Sequence, residues 1–111
     1  MYLLDTNVVS EMRKIRQGKA DPGVARWAEG VASSDLYISV ITVQELEIGV
    51  LLAEKRDPEQ GKVLRFWFED RVLPAFRHRI LPINTQISRW SAKLHVPDPG
   101  RFETPLSLLL E

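Results

Sequence analysis

The sequence predicts an α/β domain: a short parallel sheet with helices packed on its faces. Three observations carry that prediction. Short apolar runs alternate with stretches of helical periodicity along the chain, the pattern of successive βαβ units. The apolar runs are continuous instead of alternating, as in strands covered on both faces. Two Asp-Pro pairs, Asp21-Pro22 and Asp57-Pro58, mark helix starts, with Asp as cap and Pro in the first turn.

The elements follow in order. Tyr2-Leu3-Leu4 is a short buried strand ending at Asp5. Asp5 or Thr6 caps a helix that begins near Asn7 and carries Val8, Val9 and Met12. The polar stretch 13–19 reads as a loop. After Asp21-Pro22, Val24, Trp27, Ala28 and Val31 share one helical face. Leu36-Tyr37-Ile38-Ser39 is the second strand, and a helix runs from about Thr42 to Lys55. The helix after Asp57-Pro58 turns Val63, Leu64, Trp67, Phe68, Val72 and Leu73 inward. Residues 79–83 form a third strand, with Pro82 marking its end or a sheet edge. Asn84 or Thr85 then caps a helix that places Ile87, Trp90, Ser91 and Leu94 on one side. The three tryptophans fall among apolar neighbours and read as core.

The 111 residues, 44% of them hydrophobic, suit one domain with a modest core. Fifteen basic and fifteen acidic residues cancel, which argues against a tight, non-specific nucleic-acid binder. With no cysteine, disulfides and thiolate metal sites are excluded. There is no signal-peptide pattern at the N-terminus and no apolar run long enough to span a bilayer. A soluble, cytoplasmic protein without a membrane role is expected.

Open parallel sheets build sites beyond the carboxyl ends of their strands. Asp5 stands at one such end, and Glu45 lies one turn into the helix after the second strand. Two acids from separate βα units can therefore converge. Convergent carboxylates without His or Cys suit a hard cation, Mg²⁺ or Mn²⁺, which activates a water and stabilises charge at a phosphodiester. Each residue has a plainer role as well. Asp5 can be a helix cap alone. Thr42-Val43-Gln44-Glu45 matches a capping box, in which the glutamate reaches back to the cap amide. Gly49, one turn beyond Glu45, keeps that face open or permits close packing. Glu47 is expected in solvent. Thr6 and Asn7 either orient Asp5 and the cation's waters or serve the turn. Arg77, His78 and Arg79, with Arg71, form a basic cluster that contacts phosphates or is a solvated loop.

The string Leu4-Asp5-Thr6-Asn7-Val8-Val9-Ser10-Glu11 resembles the opening of the PIN-domain family, especially its VapC-type and FitB-like toxins. The stretch from Leu36 to Val50, with Thr42-Val43-Gln44-Glu45-Leu46, resembles that family's second strand and the helix bearing its second acid. Arg79-Ile80-Leu81-Pro82-Ile83 and the helix with Trp90 also fit, so the likeness spans about residues 2–96. It implies a three-layer PIN-like fold and an endoribonuclease dependent on Mg²⁺ or Mn²⁺. It further implies a homodimer held inactive by a small VapB-like antitoxin. Asp5 and Glu45 take the places of the first two metal-binding acids, and Thr6 and Asn7 match the residues after the first.

The likeness stops there. The family's third acid opens a helix of the form Asp-Ala-Leu-Ile-Ala-Ala-Thr, where this chain reads Glu103-Thr104-Pro105-Leu106-Ser107-Leu108-Leu109-Leu110-Glu111. Residues 1–96 are thus expected to form the PIN-like domain and 97–111 a divergent tail, with the last helix and strand missing or altered. The sheet is then left with an open edge, which invites association. Codons can be chosen for Glu103–Glu111 that, read from their third base, spell Asp-Ala-Leu-Ile-Ala-Ala-Thr-Gly, and a shifted reading frame after about Gly100 is the hypothesis proposed for the tail. Glu103 is a weak substitute for the third acid, and Asp98 a weaker one. Two rival functions stand beside the ribonuclease. One is an inactive remnant that still dimerises or binds an antitoxin. The other is a haloacid-dehalogenase-type phosphatase, disfavoured because Asn7 stands where its second Asp belongs.

Overall fold

In the computed structural model, residues 2–15, 18–94 and 103–105 are described, the side chains of 90, 91, 93, 94 and 103–105 excepted. The chain runs β1 (Tyr2–Leu4), α1 (Thr6–Ile15), α2 (Pro22–Glu29), a 3-10 turn (Ser33–Asp35) and β2 (Leu36–Ser39). It continues through α3 (Val40–Arg56), α4 (Pro58–Trp67), a π-helical turn (Phe68–Val72), α5 (Leu73–Ala75), β3 (Ile80–Leu81), α6 (Thr85–Leu94) and β4 (Glu103–Pro105). The sheet order is β3-β2-β1-β4. β1, β2 and β3 are parallel, so the expected α/β architecture is present.

The two faces of the sheet divide the core into layers. Leu4, Leu36 and Ile38 face a cluster with Val8, Val9, Val24, Leu46, Val50, Phe68 and Val72, contributed by the helices that connect β1 to β2 and β2 to β3. Leu3 points the other way and packs with Ile87 of α6, flanked by Tyr37 and Leu81. Adjacent residues on opposite faces follow from the two-residue period of a strand. Continuous apolar strands therefore sit between helical layers, and the sequence signal has its physical cause here.

Helix starts obey local chemistry. The Asp21 carboxylate accepts from the Gly23 and Val24 amides at 2.8 and 3.2 Å. Asp57 accepts from Gln60 at 3.4 Å, and Asn84 from Ile87 at 2.8 Å. Pro82 follows β3, a two-residue strand on the sheet's edge, so both readings of that proline apply.

Several expectations change. Residues 13–15 continue α1 instead of forming a loop, and Arg13 and Lys14 in its last turn suit the negative end of the helix dipole. Val63 is 55% exposed: the π turn inserts one extra residue per turn and rotates the faces on either side out of a single 3.6-residue register. Trp27 and Trp67 are half-buried, at the core's margin. Trp27 meets Tyr2 edge-on at 6.3 Å, and Arg13 lies over Trp67 at 5.9 Å. The expected inward positions of Trp90, Ser91 and Leu94 lie outside the described side chains.

The tail brings the largest difference. The sheet was expected to lack a strand from the tail and keep an open edge there; instead Glu103–Pro105 pair antiparallel with β1, Leu4 opposite Glu103 and Tyr2 opposite Pro105. No helix opens at Glu103. Pro105, which lacks an amide proton, is tolerated because β4 is itself an edge strand. Among the described residues no helix is long and apolar enough to cross a membrane.

Candidate catalytic site

Parallel strands put their carboxyl ends on one side of the sheet, and there β1 delivers Asp5 and β2 delivers Ser39. Asp5 is half-buried. Its carbonyl accepts from the Val8 and Val9 amides at 3.1 and 3.2 Å, so its backbone launches α1. Asp5 therefore occupies the cap position as well as the strand end. Thr6 is half-buried beside it, and Asn7 is exposed in the first turn of α1.

The neighbouring turn differs from the sequence reading. α3 begins at Val40, with Ser39 as its cap: the Ser39 hydroxyl accepts from the Thr42 amide at 3.3 Å. Thr42 is therefore the third residue of the helix and not its cap. The capping-box role for Glu45 falls away, because Glu45 is a full turn too far along to reach the cap amide. Glu45 is half-buried. The sequence signal for Ser39 was available, since serine is a preferred cap at a strand-to-helix junction; the Thr-x-x-Glu pattern three residues later masked it.

The two turns are joined. Thr6 donates through its hydroxyl to that of Thr42 at 3.4 Å, across 36 positions of sequence. Thr42 is 5% exposed and Ser39 2%. The acids thus sit beside a shared polar seam: Asp5 precedes Thr6, and Glu45 follows Thr42 by one turn. The sequence marked Thr42 only as a helix cap, because nothing local reveals a partner as distant as Thr6.

Gly49 lies exposed on α3, and a Cβ there would meet nothing within 4 Å. Among the described residues nothing packs against Gly49, which supports the open-face reading. Close packing belongs to Gly61 of α4, where a Cβ would fall 2.4 Å from the Glu54 Cα. Glu47 is not a freely solvated side chain; it pairs with Arg65 at 2.6 Å.

The basic cluster splits apart. Arg77, His78 and Arg79 precede β3, at the amino ends of the parallel strands and so opposite to Asp5. Arg79 donates to the carbonyls of Ser33, Leu36 (2.7 Å) and Ala75, and lies 5.4 Å over Phe76. It clamps the 3-10 turn to α5. Arg71 stacks over Phe66 at 5.7 Å. His78 occupies a left-handed turn at φ 71°. None of this group faces the acids.

A separate groove of about 580 Å³ runs between α1 and the π turn, lined by Val9, Met12, Arg13, Trp67, Arg71 and Phe76 among others. Neither acid lines it.

The donors near Asp5 and Glu45 are carboxylate and hydroxyl oxygens. That chemistry fits Mg²⁺ or Mn²⁺, and Mg²⁺ takes one or two carboxylates and keeps several waters. Among the described residues no group of three or more acids, histidines or cysteines comes together. Glu103 is placed in register with Leu4, the residue before Asp5, while Asp98 lies outside the described residues.

Residues 2–100 match the family model described as the PIN domain. Ribonuclease VapC14 of Mycobacterium tuberculosis is 45% identical over 75 residues, covering 68% of this chain and 70% of that protein. Toxin FitB of Neisseria gonorrhoeae is 35% identical over 94 residues, covering 85% of this chain and 64% of FitB. VapC ribonuclease Y4jK of Sinorhizobium fredii is 37% identical, with 85% and 64% covered. Among solved structures, FitAcB from Neisseria gonorrhoeae superimposes with a TM-score of 0.67 at 35% identity, over 88% of this chain and 71% of that one. A FitAB complex bound to an IR36 DNA fragment gives 0.66 at 33%, with 88% and 69% covered. The chain thus spans between 64% and 71% of the length of these relatives.

Proposed function

Because this chain belongs to the PIN-domain family, as a VapC/FitB-like member, we propose that it is the endoribonuclease toxin of a toxin–antitoxin pair. It hydrolyses RNA phosphodiesters with Mg²⁺ or Mn²⁺, acting in the cytoplasm. The observation that supports this reading most directly is the seam between Thr6 and Thr42, which ties the turn after Asp5 to the first turn of α3, one turn before Glu45. Asp5 is a direct ligand. Glu45 is a second ligand or holds the water that attacks phosphorus, while Thr6 and Asn7 steady Asp5 and the waters around the cation. The cation supplies an acidified water and charge stabilisation at the phosphate.

The partners in this reading are an RNA substrate, a second copy of the chain and a small VapB-like antitoxin. The outward side of α3 supports the second copy: Ile48, Leu51 and Leu52 stand about half exposed, at 47, 53 and 59%. The groove along α1 and the π turn offers apolar walls and two guanidinium groups, from Arg13 and Arg71, to an amphipathic segment of the antitoxin.

Cleavage of RNA by the purified chain with Mg²⁺ or Mn²⁺, lost in both Asp5→Asn and Glu45→Gln, is the expected result. Cleavage surviving in those variants overturns it. A second reading, a weak or inactive remnant that retains dimerisation and antitoxin binding, is favoured by the lack of a third acid near the pair among the described residues. No cleavage together with an intact dimer supports that reading.

A further inference from the structure

We infer that Thr42 is a positioning residue for the acid pair, acting through its hydroxyl contact with Thr6; the inference rests on the reading of Asp5 and Glu45 as cation-holding acids. A buried hydroxyl requires a hydrogen-bond partner. Thr42 is 5% exposed, and its hydroxyl accepts from Thr6, 3.4 Å away on a different βα unit. Its amide is held by Ser39, 2% exposed, at 3.3 Å. Thr42 is thereby fixed at both backbone and side chain. On either side of the contact stands an acid: Asp5 adjoins Thr6, and Glu45 follows Thr42 by three residues.

Two carboxylates that share a cation must keep their separation to within about 0.5 Å. Asp5 stands just before α1 and Glu45 lies in α3, helices that start from different strands, so their separation depends on how the first turns of α1 and α3 are set against each other. Apolar packing resists changes in distance but tolerates sliding. A hydroxyl contact is directional and resists that sliding. At 3.4 Å the contact is long for O–H···O, and a shift of a few tenths of an ångström completes it.

The test compares Mn²⁺ affinity, read from the free-ion electron paramagnetic resonance signal, with thermal melting of the same samples. Thr42→Val preserves shape and deletes the hydroxyl; Thr42→Ser preserves the hydroxyl. Thr6→Val removes the same contact from its less buried side and serves if Thr42→Val does not fold. Each Val variant is expected to bind Mn²⁺ about ten-fold more weakly, the size of effect that outer-layer partners have on metal sites. Thr42→Ser is expected to bind as the parent does. The double Val variant should be no weaker than Thr6→Val alone, since Thr6→Val already removes the contact through which Thr42 acts. Parent-like affinity in Thr42→Val, even with a lower melting temperature, overturns the inference and leaves the metal reading standing. So does a double variant as weak as the product of the two singles. A parent that binds no Mn²⁺ overturns the metal reading of Asp5 and Glu45, and this inference with it.

Discussion

Arg65 of α4 grips the Glu54 carboxylate of α3 with two parallel bonds, Nε to Oε2 at 3.1 Å and Nη2 to Oε1 at 2.8 Å. The same guanidinium reaches Glu47 at 2.6 Å and Glu69 at 3.4 Å. A planar fork meeting a planar carboxylate is specific to arginine, so Arg65→Lys is expected to lower the melting temperature although charge is kept. The drop should shrink as salt is added, because these groups are partly in solvent. A melting temperature independent of both changes would show the brace to be energetically idle.

Acid should loosen the fold through two glutamates. The Arg65 bond holds Glu54 below the ordinary glutamate value of 4.5. The Asp21 amide, then Lys14, does the same for Glu11, which ties α1 to the start of α2. A depressed folded-state pKa gives stability that is complete above the unfolded value and disappears as pH falls through the folded one. Melting temperature is therefore expected to stay level down to about pH 5 and fall below it. Glu54→Gln should melt lower at neutral pH and show a shallower acid drop. An equally steep drop in Glu54→Gln and Glu11→Gln would mean that other groups govern acid unfolding.

The glycines of the α3–α4 hairpin separate packing from openness. Gly to Ala inside a helix ordinarily stabilises by about 1 kcal/mol. At Gly61 the new Cβ would collide with the Glu54 backbone at 2.4 Å, and Gly61→Ala is expected to destabilise by about 1–3 kcal/mol. At Gly49 the space is empty, so Gly49→Ala should gain up to about 1 kcal/mol. If the open face beside Glu45 admits RNA, that variant also cleaves more slowly. Denaturant unfolding measures the first pair of outcomes; equal signs at the two glycines would contradict this geometry.

How far the sequence could be read depends on how local each cause is. Asp21, Asp57 and Asn84 cap helices through residues two or three positions away, so their patterns announced them. β1, β2 and β3 showed as apolar runs because helices cover both sides. The first acid was legible as the residue ending an apolar strand. The Thr6–Thr42 contact joins residues 36 apart, and Arg79 bonds to Ser33, 46 positions away; no periodicity encodes either. The π turn at Phe68–Val72 shifts the helical register, and Val63 was misplaced for that reason. Nothing local distinguishes Gly61 from any helical glycine; only the α3 backbone packed against it does. Glu103–Pro105 read as part of a divergent tail, yet the edge of β1 supplies pairing partners that a sequence pattern does not contain.

The outward face of α3 carries the next expectation. Ile48, Leu51 and Leu52 lie on one side of the helix, while Leu46, Val50 and Ala53 are buried on the other. A helix apolar on both sides is normally covered on both, and a contiguous exposed patch marks an interaction site. The chain is therefore expected to be a homodimer in solution, and Leu51→Glu with Leu52→Glu to yield a monomer of unchanged helix content. Light scattering after size exclusion reads the mass. A parent that is already monomeric would assign this face to another partner.

The tail yields the last expectation, and it is a matter of bases. Glu103–Glu111 can be encoded so that reading from the third base gives Asp-Ala-Leu-Ile-Ala-Ala-Thr-Gly, the helix that the resemblance expects at this place. β4 occupies the place instead, antiparallel to β1, and its register sets Glu103 opposite Leu4 rather than opening a helix with an acid. A shifted frame would account for both the lack of a third acid beside Asp5 and Glu45 among the described residues and the leucine-rich stretch 106–110. The gene from the codon of Gly100 onward is expected to carry bases compatible with the hidden reading. Moving the frame back should then place an aspartate at the helix start, strengthen Mn²⁺ binding and raise RNA cleavage above that of the present chain. Codons that forbid the hidden reading remove the frame shift as the cause, and β4 is then the chain's own solution to its open edge.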